Sequence, residues 1–304
     1  MIPKSKLFLS LCAVFILQPV LQSEEIAAEA LRFKTLNAVR TETAPIIDGN
    51  IDDEVWKKIE PINDFVQFEP YNLDKPTVKT EVRLLYDDNY LYVAFENYDP
   101  NPSSIMTRMN RRDDYMSISS STDWVGFGFD SNDDDLTGNW FMLTAAGVQL
   151  DVAVNETGGF RNMYDISWNA VWDGKTSIHS DGWSAEIRIP FNVFQFSNEK
   201  SQLWGGTFQR GYFANQEEIQ WPGRSKGARG VVPHYGIIAG IADIPQPNSL
   251  ELVPYVLAGQ TQSDNKIQES NLGLDLRYNI TSSATLNMTF NPDFGQVEAD
   301  PSVL

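Results

Sequence analysis

One cysteine and two histidines in 304 residues leave this chain with little of the chemistry built on thiols, zinc or imidazole. Cys12 lies inside an N-terminal apolar run, so neither a disulfide framework nor thiol catalysis is expected in the rest of the chain. His179 and His234 each stand alone near a turn, which assembles neither a zinc site nor a Ser, His, Asp triad. Positive charge is also scarce: 23 Lys and Arg face 41 Asp and Glu, for a net charge of −18. A chain this acidic repels polyanions, so no nucleic-acid partner is expected. No long helical periodicity is visible, which makes α/β architectures poor candidates. GFGFDS lacks the third glycine of a dinucleotide loop. Glycoside hydrolysis needs two carboxylates about 5 to 9 Å apart. Sequence alone singles out no such pair, and no enzymatic activity is assigned.

What is present begins with Lys4 and Lys6, followed by an apolar run from Leu7 to Leu21 broken by Ser10, Gln18 and Pro19. This is the pattern of a secretory signal peptide over residues 1–23, and the protein is expected to be exported. The run falls short of the roughly 20 apolar residues of a membrane helix. Cleavage after Ser23 leaves 21 basic and 41 acidic residues, a balance of −20.

From about residue 31 to 245 short alternating apolar runs are separated by Gly, Pro, Asn and Asp clusters, as in VRLLYDDNYLYVAFENYD, WVGFGFD, NWFMLTAAG and GWSAEIRIPF. Regular short strands with turn signals predict an all-β, antiparallel β-sandwich. PIIDGNIDDEVW opens it: Asp48 and Gly49 form a tight turn, Asp52 or Asp53 caps a short helix, and Trp56 and Ile59 share its buried side. Trp168, Trp172, Trp183 and Trp204 sit among strand residues and are expected in the core. The acidic run DSNDDD groups oxygens from Asp130, Asn132 and Asp134, a candidate structural calcium site; the competing reading is a solvated turn. In IQWPGRSKGARG, Trp221 stands beside Arg224, Lys226 and Arg229, with Glu218 three residues before it. That pairing of an aromatic with charges is a candidate binding site, against a loop that only anchors Trp221 in the core.

After the breaker IPQPN the texture changes. Over residues 249–304, NLGLDLRYNI and ATLNMTF alternate strictly, and LELVPYVLAG more loosely. Strands of about 10 residues, apolar on one side and polar on the other, predict the first strands of an outer-membrane β-barrel. A soluble sheet with one wet face gives the same alternation. A barrel takes at least about 8 strands, so on the first reading the chain is a truncated fragment.

The words PIIDGNIDDEVW, EVRLLYDDNYLYVAF, RRDD, GVQLD, ISWNAVWDG, GWSAEIRIPF and NPDFGQVEADP, in that order, carry a resemblance. The first part resembles family 9 carbohydrate-binding modules. The whole resembles the domain of unknown function 5916 proteins, in which such a module precedes an outer-membrane barrel. The resemblance implies a glycan partner, a barrel seated in the outer membrane, an outer-membrane or periplasmic location, structural calcium, and a role in polysaccharide capture or catabolism. The alternative is a docking or plug domain that binds no sugar. In sugar-binding members the resemblance implies two clamping tryptophans with a Glu, an Arg and amide side chains. Here Ser120, Gly126 and Met142 stand at the positions of the first tryptophan, the Glu and the Arg. Trp221 alone stands where the second clamp is expected, so Trp221, Glu218 and Arg224 are the expected carbohydrate-binding residues.

Overall fold

The computed structural model describes residues 34–245, 250–261, 267–281 and 284–291. The signal-peptide segment 1–23 lies outside the described residues, as does all of NPDFGQVEADP beyond Asn291. In chain order the strands begin β1 (Thr35–Asn37), β2 (Val39–Arg40), β3 (Val66–Glu69), β4 (Thr80–Tyr86), β5 (Tyr90–Tyr98) and β6 (Trp124–Asp130). They continue β7 (Thr137–Thr144), β8 (Gln149–Asn155), β9 (Tyr164–Asp165), β10 (Asp173–His179), β11 (Gly182–Pro190) and β12 (Trp204–Tyr212). The last are β13 (Glu217–Trp221), β14 (Gly236–Ala239), β15 (Leu250–Thr261), β16 (Ile267–Thr281) and β17 (Ala284–Phe290). Helices among these residues are short: α1 (Glu54–Lys57), α2 (Tyr115–Ser119) and α3 (Gly159–Asn162). The chain divides into two compact units, Met1–Pro245 and Gln246–Leu304.

The first unit is the expected sandwich. Its larger sheet runs β1-β14-β12-β6-β7-β8-β9, with β13 pairing both β12 and β3; its smaller sheet runs β10-β11-β5-β4-β2. Pairing is antiparallel except for β1 with β14 and β2 with β4. Alternation along each strand builds the core, because successive side chains leave opposite faces. Val125, Phe127 and Phe129 of β6 meet Phe141 and Leu143 of β7 and Phe208 of β12 on the inner face, opposite Val82, Leu84, Val93, Phe95 and Ile187 of the smaller sheet. Phe127 stacks on Phe141 with centroids 5.3 Å apart. Trp172, Trp183 and Trp204 are buried as expected, and Trp168 packs half-buried against this core. Fully buried Arg210 links the sheets, donating from β12 to the carbonyls of Lys79 and Tyr98 and to Thr80 Oγ1, each at 3.0 or 3.1 Å.

PIIDGNIDDEVW folds as a plug against the outer side of the smaller sheet. Gly49 adopts φ +97, and a Cβ there would lie 2.6 Å from the Thr176 carbonyl carbon. Buried Glu186 of β11 accepts from the backbone N–H groups of Asp48 and Gly49 and from Trp56 Nε1 at 2.8 to 3.0 Å. Trp56 is fully buried and Ile59 nearly so, but Asp53 does not cap α1. Its carboxylate accepts the Ile46 N–H at 2.8 Å instead, so the acid closes the incoming loop.

In the second unit β15, β16 and β17 form an open three-stranded antiparallel sheet. This corrects the expected outer-membrane barrel, and with it the expected membrane partnership through that barrel. The outer strands β15 and β17 each pair only with β16, and no sheet among the described residues closes on itself. The alternation that suggested a barrel has a plainer origin. Register sets Leu252, Leu276 and Met288 in one row and Pro254, Leu274 and Phe290 in the next, giving one apolar face. On the other face Tyr255 lies over Gly273, where a Cβ would come within 2.1 Å of its ring.

Candidate functional site

The larger sheet has a second, outer face, and there the glycines decide what can sit. Trp124, Gly126 and Gly128 point outward from β6, alternating with the inward Val125 and Phe127. A Cβ at Gly126 would lie 2.7 Å from Trp140 Cζ2, and one at Gly128 2.9 Å from Trp140 Cδ1. The indole of Trp140, from β7, therefore lies along the strip these glycines leave bare. Trp124 meets it edge-on with centroids 6.4 Å apart, and Tyr115 at the start of α2 meets it edge-on at 6.1 Å.

Around this floor stand polar groups without protein partners. Trp140 is half-buried, and its Nε1 makes no hydrogen bond among the described residues, nor do the side chains of Gln209 and Glu218. Gln209 is the register partner of Gly126, and Glu218 that of Gly211. The Tyr235 hydroxyl is buried and unpartnered, 2.8 Å from where a Gly128 Cβ would stand. Tyr115 and Tyr164 are 44% and 49% exposed, unusual for aromatics on such a face. Burial pushes the Tyr115 phenol up to about 12, with further contributions from Glu218 and Tyr164, which places the three within electrostatic reach of one another. Burial likewise pushes the Glu218 carboxyl up to about 7, against the pull of Arg224. Arg224 stacks 4.7 Å above the Phe68 ring and donates to the Gly230 carbonyl at 3.4 Å.

The expected binding residues separate here. Glu218 and Arg224 belong to the outer face, but Trp221 turns the other way. Only 1% exposed, Trp221 packs against Phe208 at 5.8 Å inside the sandwich, so it offers no ring face to a ligand. Parity explains this, since Glu218 and Trp221 are three apart on one strand and must leave opposite faces. The three substituted positions are also accounted for. Gly126 gives its space to Trp140, Met142 is buried beside Ile118 and Leu150, and exposed Ser120 donates to the Met116 carbonyl at 2.6 Å. Sequence reasoning missed Tyr115, Trp140, Tyr164, Gln209 and Tyr235. Two alternate glycines in WVGFGFD beside NWFMLT were the available signal for Trp140, because such a strip invites a neighbouring aromatic.

Asp130, Asn132 and Asp134 form a turn at the end of β6. Asp130 accepts the N–H groups of Asn132, Asp134 and Asp135 at 2.9 to 3.2 Å. Asp134 accepts those of Leu136 and Thr137 together with the Thr137 hydroxyl. Backbone donors thus already occupy these carboxylates. A calcium cage needs six or more oxygens turned inward, and this arrangement does not fit one. Among the described residues no group of three or more acidic, His or Cys side chains is arranged to hold a metal. Burial pushes the Asp130 carboxyl up to about 6.

Residues 47–209 match the model described as Carbohydrate family 9 binding domain-like, and residues 246–304 match a domain of unknown function, DUF5916. No curated protein matches the chain. Among solved structures, a Bacteroides uniformis ATCC 8492 protein thought to bind carbohydrate shares the sandwich fold, at TM-score 0.50 and 14% identity over 68% of this chain and 98% of its own. A family 9 carbohydrate-binding module from Caldicellulosiruptor kristjanssonii in complex with cellotriose is similar at TM-score 0.46 and 20% identity, over 71% of this chain and 96% of that one. The same organism's module with glucose gives 0.46 and 21%, over 70% and 100%.

Proposed function

The chain belongs to the carbohydrate family 9 binding domain-like family, and from that premise we propose that it is an exported glycan-binding module whose ligand lies on the outer face of the larger sheet. One observation carries the reading. On that face an indole N–H, an amide and a carboxylate, none with a protein partner among the described residues, stand beside exposed aromatic rings. A sugar supplies what each lacks, because its apolar ring face covers an aromatic while its hydroxyls satisfy the polar groups around it. Left unmade, such bonds are costly at a half-buried site.

Trp140 and Tyr115, set edge to face, would give the platform, with Tyr164 within electrostatic reach of Tyr115. The two oxygens of Glu218 suit adjacent hydroxyls as acceptors, and Arg224, within electrostatic reach of Glu218, has N–H groups to donate to a further one. Export rests on the N-terminal Lys4, Lys6 and the apolar run that follows. A module of this kind would hold polysaccharide for other proteins to process.

The test is a glycan array probed with the full chain and with Tyr115→Ala/Tyr164→Ala. Binding that the double variant loses supports the reading. A blank array from folded parent protein would overturn it in favour of a docking role.

A further inference from the structure

Three motifs have no part in the glycan face itself: RRDD, GVQLD and ISWNAVWDG. All three meet at one carboxylate. Asp151 of β8 is fully buried, on the inner side of the sheet. Its Oδ1 accepts from Arg112 Nη2 at 2.5 Å and from Trp172 Nε1 at 3.2 Å, and its Oδ2 accepts the Ala170 N–H at 2.6 Å. Arg112 also donates to Gln149 Oε1 at 2.9 Å.

Asp113, in the left-handed region at φ +63, continues the junction along the strand edge. Its N–H donates to the Gln149 carbonyl at 3.4 Å, and its Oδ1 accepts the Asp151 N–H at 3.3 Å. β9 pairs with β8 only at Ala153 and Val154, so Arg112 and Asp113 take the length of edge that β9 leaves open. Two arms leave this point. Asp114 accepts the Ser117 N–H at 3.2 Å and starts α2, which carries Tyr115 onto Trp140. The other arm runs back from Ala170 through a turn in which Asp165 accepts the Ser167 N–H, and reaches Tyr164.

We propose that Asp151 is a positioning residue for the glycan face, a single buried carboxylate that holds both tyrosine arms and so sets the gap between Tyr115 and Tyr164. The role in binding rests on the glycan reading of that face; the mechanical coupling of the arms does not. A buried carboxylate that loses its one cation is left uncompensated, so the junction loosens when Arg112 is removed even though half of Arg112 faces solvent.

The experiment measures the two halves separately. In the full chain carrying Cys12→Ser, spin labels go on Met116→Cys and Ile166→Cys, positions 76% and 61% exposed. Pulsed electron resonance then gives the distance distribution between the arms in the parent, Arg112→Leu, Arg112→Lys and Asp151→Asn. Glycan affinity is measured in the same backgrounds without labels. The expected result is a narrow distribution in the parent, a broader one in Arg112→Leu and Asp151→Asn, and partial recovery in Arg112→Lys. Affinity should fall about tenfold where the distances broaden, or ~1.4 kcal/mol. Arg112→Leu keeps the test open should Asp151→Asn fail to fold. Unchanged narrow distances in Arg112→Leu would overturn the proposal, as would broad distances with undiminished affinity. Broad distances in a chain whose parent binds no glycan would support the clamp and overturn only the glycan reading.

Discussion

Replacing Gly126 with alanine tests how the outer face is built. The backbone there needs no positive φ, so the effect is steric alone. The new methyl would lie 2.7 Å from Trp140 Cζ2, 3.1 Å from Trp124 Cζ3 and 3.3 Å from Trp140 Cε2. Carbon pairs are comfortable at about 3.5 to 4.0 Å, so the indole must rise by nearly 1 Å. Trp140 is half-buried and can move, at the expense of its edge contacts with Trp124 and Tyr115. Overpacking of this kind costs about 1 to 3 kcal/mol. In a Trp140→Ala background the 2.7 and 3.3 Å contacts are gone and Trp124 Cζ3 at 3.1 Å remains, so the same change should cost little, with the roughly 0.5 kcal/mol that alanine gains over glycine in a strand set against that one contact. All 8 tryptophans precede residue 245, so urea unfolding followed by tryptophan fluorescence reports on the sandwich alone. The two backgrounds should differ by at least about 1 kcal/mol, a coupling that direct contact requires. Equal costs in both would refute the placement of Trp140 on the glycine strip.

Trp221→Ala should destabilise the sandwich by about 3 to 5 kcal/mol as a large buried-to-small change, whereas Tyr164→Ala should remove binding and leave the unfolding midpoint nearly unmoved. Glu218 holds its proton up to about pH 7 in the folded chain against an ordinary value of 4.5, so its contribution to stability is complete below about 4.5 and is lost as pH rises through 7. Affinity should move the other way, rising through pH 7 as the carboxylate becomes the stronger acceptor, and a titration of Glu218→Gln should show neither trend. Asp130→Ala should cost about 3 kcal/mol in urea unfolding, because three backbone N–H groups lose their acceptor. Chelation by EDTA should leave the parent's melting midpoint in place, since the same oxygens are already engaged.

Strand alternation and turn chemistry made the sandwich legible from residues 31 to 245, and PIIDGNIDDEVW announced the Trp56 plug. The barrel expectation came from alternation too, but alternation reports that a sheet has two unlike faces, not whether its edges meet. Closure is a property of partners further along a sheet, which no single strand encodes. At the site the limit was parity. Glu218 and Arg224 were chosen for their charge and lie on the outer face, but Trp221 was grouped with them by proximity in sequence although the strand turns it inward. Tyr115 and Tyr164 carried no local signal. They sit at the start of α2 and in β9, segments tied together through Arg112, Asp151 and Ala170, residues scattered over 58 positions.

The central claim is that a glycan contacts the Trp140 face, and indole nitrogen resonances test it most directly. In the full chain labelled with ¹⁵N-tryptophan and titrated with a glycan that binds, the Trp140 Nε1 signal should shift with the binding curve. Those of the buried Trp183, Trp204 and Trp221 should stay in place. Saturable binding with Trp140 stationary, or with Trp221 as the residue that responds, would contradict the account.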